Sequence, residues 1–192
     1  MRHLLLALPF ALLPALAHAE VHHDHDHHDE HGSLDSHEHG AAQLDAALDG
    51  TTLEIELRSP AVNLLGFEHA PRSAAEKSRL AETRAQLERP HALFTLPADA
   101  RCTLAEARLE SPLFAGADHE HEHDQHEHGG ATHSDIQAHY RYNCAAPDAL
   151  RALDLRGLFE AFPGTEKIEA QIIGPNGQQG RQLRAAQARI TF

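Results

Sequence analysis

The sequence predicts an α+β fold, built on a mostly antiparallel sheet of six to eight strands with one main helix and carrying a disordered histidine-rich loop. Several short segments alternate apolar and polar residues with the period of a β-strand. A single longer segment, starting at Ser73, has the start and stop signals of a helix. A polar segment at 118–133 interrupts this pattern, and it has no large apolar side chain with which to join a core.

The most regular of these segments form a predicted β-hairpin. Residues 43–49 and 52–58 each place apolar side chains at every second position. Asp49-Gly50 follows the first segment and is a favoured pair for a type I′ turn. We therefore expect residues 43–58 to fold as two antiparallel strands joined by a tight turn.

The predicted helix begins with a capping box. Ser73 supplies the N-cap side chain, and Glu76 stands three residues later, where its carboxylate can reach back to the cap. The helix should end at about Leu87 or Glu88, because Pro90 stops it. Its apolar stripe is narrow, which indicates that the helix covers one face of a sheet.

Two apolar stretches flank this helix. Residues 63–69 are predicted to form a loop, apolar in character but ending in two potential metal ligands, Glu68 and His69. Residues 91–96 form a short apolar run ended by Pro97, and we expect a strand there.

Two further strands are predicted on either side of the central polar segment. Residues 135–144 alternate cleanly, and residues 101–109 provide the partner, so that 118–133 becomes the loop of a long hairpin. The chain has two cysteines, and its N-terminus, described below, predicts export. In an exported chain, two such cysteines most simply form one disulfide. An antiparallel pairing with that disulfide at its base places Cys102 opposite Cys144, Leu104 opposite Tyr142 and residue 110 opposite residue 136.

The C-terminal part predicts the remaining strands. Residues 149–162 read as a short strand or turn followed by a short helix. Residues 167–173 are rich in β-forming residues, and 174–177 has the composition of a turn. Segments 178–184 and 187–192 are expected to be closing strands.

The N-terminus has the features of a secretory signal peptide. A basic start, an apolar run too short to span a membrane and an Ala-His-Ala box predict cleavage after Ala19. We therefore expect a signal peptide at 1–19, a disordered histidine-rich tract at 20–39, and a single domain at 40–192 with an insertion at 118–133. The expected product is an exported monomer without membrane insertion.

Charge and motif content limit the possible functions. The formal net charge is −13 with histidine neutral, so the phosphate backbone of a nucleic acid would repel the chain. No Gly-x-Ser-x-Gly motif, phosphate-binding glycine loop or free nucleophilic cysteine is present in the sequence. We therefore expect neither a nucleic-acid-binding protein nor an enzyme.

The two histidine-rich tracts are the strongest functional signal. Imidazole nitrogens and carboxylate oxygens are the ligands that zinc, nickel and copper take, and both tracts supply them at high density. Such tracts rank metals by the general affinity trend, so selectivity has to come from elsewhere. The candidate tract ligands are His22, His23, His25, His27, His28, His31, His37 and His39 in the first tract and His119, His121, His123, His126, His128 and His133 in the second.

Three histidines lie outside the tracts, at positions 69, 91 and 139. His69 is the most informative because it follows Glu68 directly. We expect that an ordered metal site can combine His37 or His39, just before the first strand, with Glu68, His69 and His133. His91 and His139 are weaker candidates, as surface positions next to a proline and on the outer side of a strand.

Several motifs resemble the ZrgA-type zinc-regulated periplasmic proteins. They are Ser59-Pro-Ala-x-Asn-Leu-x-Gly-Phe-Glu-His69, Leu93-Phe-x-Leu-Pro97, Cys102, His133-x-Asp-x-x-Ala-x-Tyr-x-Tyr-x-Cys144 and Phe162-Pro-Gly164. The resemblance implies a Gram-negative periplasmic protein that is induced on zinc starvation, binds zinc, and assists a zinc ABC importer and its solute-binding protein. It implies Glu68, His69 and His133 as ligands, and no enzymatic activity.

Two other functions remain open at this stage. One is a buffer or detoxification sponge for nickel, copper or excess zinc. Its expression should respond to metal excess, whereas a scavenger responds to depletion. The other is a metal-dependent hydrolase with an open site near His69.

Overall fold

A computed structural model describes residues 38–115 and 134–192. The predicted signal peptide and all tract histidines except His39 therefore lie outside the described residues. The strands are β1 (Ala41–Asp49), β2 (Thr52–Pro60), β3 (Cys102–Glu110), β4 (Asp135–Cys144), β5 (Ala152–Asp154), β6 (Lys167–Gly174), β7 (Gly177–Leu183) and β8 (Arg189–Thr191). The helices are α1 (Ala61–Leu65), α2 (Ala74–Leu87), α3 (Pro112–Ala115) and α4 (Arg156–Ala161), with short 3-10 helices at Pro90–Ala92, Ala98–Ala100 and Pro147–Ala149.

Six strands form one mixed sheet in the order β3-β4-β2-β1-β6-β7. Every neighbouring pair is antiparallel except β1 and β6, which run parallel, and β5 and β8 form a separate antiparallel pair. The predicted α+β fold, a mostly antiparallel sheet with one main helix, is confirmed. Within the described ranges, no helix is long and apolar enough to cross a membrane.

One face of the sheet carries the core, as the alternating sequence pattern predicts. The inward residues of β1 and β2, such as Leu44 and Ile55, are fully buried, while their neighbours in sequence face solvent. Helix α2 packs on this buried face through Leu80 and Leu87. The hydroxyl of Tyr140 on β4 donates a hydrogen bond of 2.9 Å to the Leu87 carbonyl, which ties the last turn of the helix to the sheet.

The capping box at the start of α2 is present as predicted. The Ser73 hydroxyl accepts a hydrogen bond from the Glu76 N–H at 3.2 Å. The Glu76 carboxylate in turn accepts from the N–H groups of Ser73, at 2.9 Å, and Arg72, at 2.7 Å. These contacts satisfy backbone donors that no residue inside the helix can pair.

Two local predictions are wrong. Residues 63–65 are not loop, because Pro60 and Gly66 enclose the short helix α1, and Gly66 ends it with φ of 84°. Residues 91–96 are not a strand, because Pro90 starts a 3-10 helix and only Thr95 forms an isolated bridge, to Asp154. Short apolar runs of this kind do not distinguish a strand from other buried structure.

The predicted β3–β4 register is correct only at the end near the disulfide. Cys102 lies opposite Cys144, and Leu104 lies opposite Tyr142, as expected. A β-bulge then adds one residue to β3, so Glu110 pairs with Gln137 rather than with residue 136. A bulge places two residues opposite one, and every later partner therefore shifts by one position.

The only two tyrosines of the chain lie on the buried face of β4. Burial raises the pKa of Tyr142 to about 12. Burial, and secondarily the neighbouring Tyr142, also raises the pKa of Tyr140. The folded state therefore holds both phenol protons more tightly than the unfolded chain, where the tyrosine pKa is about 10.

We expect alkaline unfolding that is coupled to tyrosine ionisation. A raised folded-state pKa stabilises the protein fully below the unfolded value of about pH 10, and this contribution is lost as the pH rises toward the folded pKa. Tyrosinate absorbance should therefore appear together with the loss of β-sheet circular dichroism. The chain has no tryptophan to complicate the spectrum. Tyrosinate absorbance near pH 10 with unchanged circular dichroism would contradict the expectation.

Candidate metal site

Both histidine tracts join the folded domain at the same end of the sheet. The first tract leads into β1 at Ala41, and the second leads into β4 at Asp135. Strand β2 lies between β1 and β4, antiparallel to both, and its last residue, Pro60, pairs with Asp135. We call this end of the sheet the exit corner, formed by residues 38–40, 60–69 and 134. The disulfide lies at the opposite end of the sheet.

Asn63 organises the exit corner through its side-chain amide. Its Oδ1 accepts a hydrogen bond of 2.8 Å from the Gly40 N–H. Its Nδ2 donates to the Ala41 carbonyl at 2.9 Å and to the Ser59 hydroxyl oxygen at 3.2 Å. Asn63 is almost fully buried, so these bonds supply partners that water does not. The start of β1 is thereby fixed to the end of β2.

Two further segments contact the short helix α1, which contains Asn63. The Ala61 N–H donates a 2.7 Å hydrogen bond to the carbonyl of Ser134, the residue that follows the central tract. Gly164 packs so closely on α1 that a Cβ atom there would lie 2.6 Å from the Asn63 carbonyl oxygen. The motifs at 59–69 and 162–164 therefore meet around Asn63, although they are far apart in sequence.

His39 and Glu68 form the first histidine–carboxylate pair of the corner. His39 Nε2 lies 3.3 Å from Glu68 Oε1. The His39 side chain is 58% exposed, whereas that of Glu68 is 13% exposed. Two ligands of a tetrahedral zinc ion, each about 2.1 Å from the metal, lie about 3.4 Å apart. The observed spacing therefore suits two ligands of one zinc ion.

His69 and Glu76 form a second pair, in which His69 Nε2 lies 3.8 Å from Glu76 Oε1. The His69 ring stacks on Phe67 with 5.3 Å between ring centroids, and its Nδ1 lies 2.9 Å from the Ala70 carbonyl oxygen. The Ser73 and Arg72 N–H groups hold the pKa of the Glu76 carboxyl below its usual value, so this carboxylate is ionised at neutral pH.

The structure thus brings together part of the predicted ordered site. His39 contacts Glu68, as the sequence led us to expect, while His69 contacts Glu76. His37, His133 and the other tract histidines lie outside the described residues. Within 38–115 and 134–192, no group of three or more histidine, cysteine, aspartate or glutamate side chains is arranged to hold a metal ion.

Glu76, which lies beside His69 but outside the residues of the exit corner, was not predicted to be a potential ligand. Its spacing from Ser73 identified it, but only as a capping residue. The other two candidate histidines lie elsewhere: His91 is exposed in a 3-10 helix, and His139 is on the solvent side of β4, opposite Glu56 of β2.

A comparison with known protein families matches residues 36–192 to the ZrgA family of zinc uptake proteins. The chain belongs to the ZrgA family. No curated protein gives a significant match. The family assignment confirms the resemblance and relates the chain to zinc uptake.

The relation to zinc uptake makes zinc the metal with which the residues of the exit corner are compared. The two pairs offer imidazole nitrogens and carboxylate oxygens, which are established zinc ligands. The most specific ZrgA-like motif, at 59–69, builds this corner: Asn63 holds the backbone, and Glu68 and His69 supply the potential ligands.

Proposed function

We propose that this ZrgA family member captures zinc in the periplasm on its histidine tracts and supports high-affinity uptake by a zinc ABC importer. In this proposal, it is a binding protein rather than an enzyme, and it presents zinc to the solute-binding protein of the importer. The observation that carries the proposal is the convergence of both tract junctions on the corner that holds Glu68 and His69.

We propose two kinds of zinc site, the histidine tracts and the exit corner. A tract with many histidines at close spacing binds several ions with modest affinity and releases them readily, because no fixed geometry selects one arrangement. The exit corner instead has a backbone that is fixed by buried hydrogen bonds, such as those of Asn63 to Gly40 and Ala41. An ion collected on either tract therefore has a short path to an ordered carboxylate and imidazole.

Delivery to an importer is favoured over a sponge by the relation to zinc uptake. A sponge for nickel, copper or excess zinc needs capacity but no ordered corner. The two functions differ in expression: transcription should rise on zinc depletion for an uptake protein and on metal excess for a sponge. Induction by excess zinc, nickel or copper would contradict the proposal.

Equilibrium dialysis of the protein against zinc at neutral pH tests capture. We expect more than one bound zinc ion per chain, and a clear fall in this capacity when residues 118–133 are deleted, while the first tract keeps its share. A matched variant replaces His119, His121, His123, His126, His128 and His133 by glutamine and keeps the length and acidic residues of the tract. It should lose as much zinc as the deletion.

The fold itself should tolerate both changes, because a long polar insertion adds little to the free energy of closing a hairpin. The denaturation midpoint therefore serves as the control. Unchanged zinc capacity in both variants, or capacity near zero in the unmodified protein, would refute capture by the tract.

A further inference from the structure

We infer that His69 and Glu76 form a zinc-binding pair of their own, in which Glu76 is both a metal ligand and the capping residue of α2. The inference rests on the proposed function only in taking zinc as the cargo. It adds a ligand that neither the motif at 59–69 nor the family assignment contains. It also places a metal site at the start of the main helix.

The His69 ring is held in one orientation. Its face stacks on Phe67, which itself packs against the core, with 5.3 Å between centroids and 27° between the ring planes. Its Nδ1 lies 2.9 Å from the Ala70 carbonyl oxygen, which can only accept a hydrogen bond. The proton of the neutral ring is therefore on Nδ1, and Nε2 carries the free lone pair that a metal takes.

The Glu76 carboxylate is held just as firmly. Its Oε2 accepts hydrogen bonds from the N–H groups of Arg72, at 2.7 Å, and Ser73, at 2.9 Å. Its other oxygen, Oε1, is the one directed at His69, 3.8 Å from Nε2. The cap therefore uses one oxygen and leaves the second for a cation, so that metal binding does not require the helix start to open.

The two facing atoms can both bind a cation. With the proton on Nδ1, Nε2 and Oε1 are both acceptors, and each has a lone pair for a metal ion. A zinc ion with bonds of about 2.1 Å to each atom needs them about 3.4 Å apart. The distance between Nε2 and Oε1 therefore has to shorten slightly from 3.8 Å. Both side chains are accessible to solvent, so a zinc ion can reach them.

The pair supplies two ligands, and water completes the coordination shell of the ion. Such a site is weaker than a closed structural zinc site, which has four protein ligands. A weak, exposed site is suited to an ion in transit, because the ion has to leave again. This is the role that an uptake protein requires next to its collecting tracts.

The test follows the backbone amide signals of residues 67–70 and 72–76 by NMR in the complete protein during a titration with zinc. A chelator buffer sets the free zinc concentration, so that ions bound to the tracts do not alter it. We expect these signals to shift with zinc. In Glu76→Gln the midpoint should rise by about tenfold or more, because a carboxylate ligand is lost. Glutamine still completes a capping box, so the helix start should remain.

Glu82→Gln provides the matched control. Glu82 lies on the same helix and accepts a hydrogen bond from Ser78, away from His69. This variant should keep the midpoint of the unmodified protein. His69→Gln should weaken binding as much as Glu76→Gln, and it keeps the test valid if the latter folds poorly.

Either of two results overturns the inference. The signals of residues 67–70 and 72–76 do not respond to zinc, which indicates a contact between His69 and Glu76 without a metal site. Alternatively, Glu76→Gln and Glu82→Gln give equal midpoints. Neither result depends on the zinc capacity of the tracts, which the dialysis measures separately. Failure of the pair and failure of capture by the tracts are therefore distinguishable.

Discussion

Replacing Cys102 and Cys144 together by alanine is expected to lower the free energy of unfolding by about 4 kcal/mol. The disulfide joins residues 42 positions apart, and the loop that it closes contains β3, the central tract and β4. In the chain-entropy description, the bond removes conformations from the unfolded chain, and the loss grows with the logarithm of the loop length. Denaturation by urea, followed by circular dichroism, measures the change.

The control is the unmodified protein treated with a reducing agent, because it loses the same cross-link without a change of residue. Its unfolding free energy should fall by a similar amount. Zinc capacity should not change while the variant is folded, since the disulfide lies at the end of the sheet opposite the exit corner. Equal stability of the double variant and the unmodified protein would contradict the expectation.

Features set by local chemistry could be predicted from the sequence. The hairpin of β1 and β2 forms as expected, although its turn is Gly50-Thr51, with positive φ at Gly50 only, and not a type I′ turn at Asp49-Gly50. Ser73 and Glu76 form the capping box at the start of α2. The disulfide partners follow from the count of cysteines in a chain expected to be exported. In each case, a few neighbouring residues determine the structure without help from the rest of the fold.

Features set by distant contacts could not be predicted. The bulge in β3 falls at Ala105, where the apolar positions change phase from 102 and 104 to 107 and 109, and so short a change of phase does not by itself identify a bulge. The parallel pairing of β1 with β6 depends on segments more than one hundred residues apart in sequence. The contact between His69 and Glu76 depends on the turn between them. From the sequence alone, Glu68 was the predicted partner of His69 in a metal site.

The sheet topology explains why the motif at 59–69 lies next to both tract junctions. Because β2 lies between β1 and β4 and is antiparallel to both, its C-terminal end meets both of their N-terminal ends. The residues that follow β2, at 61–69, are therefore next to both tract junctions. A potential ligand in that segment, such as Glu68, therefore lies in the same corner as the described junction residues 38–40 and 134.

Asn63→Ala is expected to destabilise the protein by about 3 kcal/mol. The substitution leaves the Gly40 N–H and the Ala41 carbonyl without their side-chain partners, and a buried polar group that loses its partner costs about 1–3 kcal/mol. Asn63→Asp keeps the shape and still accepts from Gly40, but it cannot donate to the Ala41 carbonyl. It should therefore also destabilise the protein. Urea denaturation measures both variants.

Asn143→Ala is the matched control, because Asn143 is an exposed asparagine on the solvent side of β4. Its effect should stay within about 0.5 kcal/mol, as for most surface substitutions. If Asn63→Ala were as stable as Asn143→Ala, the amide of Asn63 would not be what holds the corner together.

The Asn63 and disulfide variants should differ in how they affect the exit corner. Loss of the disulfide lowers global stability and leaves the contact between His39 and Glu68 intact. Loss of the Asn63 amide releases Gly40, the residue next to His39, so exchange of the Gly40 amide hydrogen should accelerate beyond the global change. Equal acceleration in both variants would mean that Asn63 contributes only to overall stability. A larger acceleration in Asn63→Ala would identify it as the residue that positions the junction of the first tract beside Glu68.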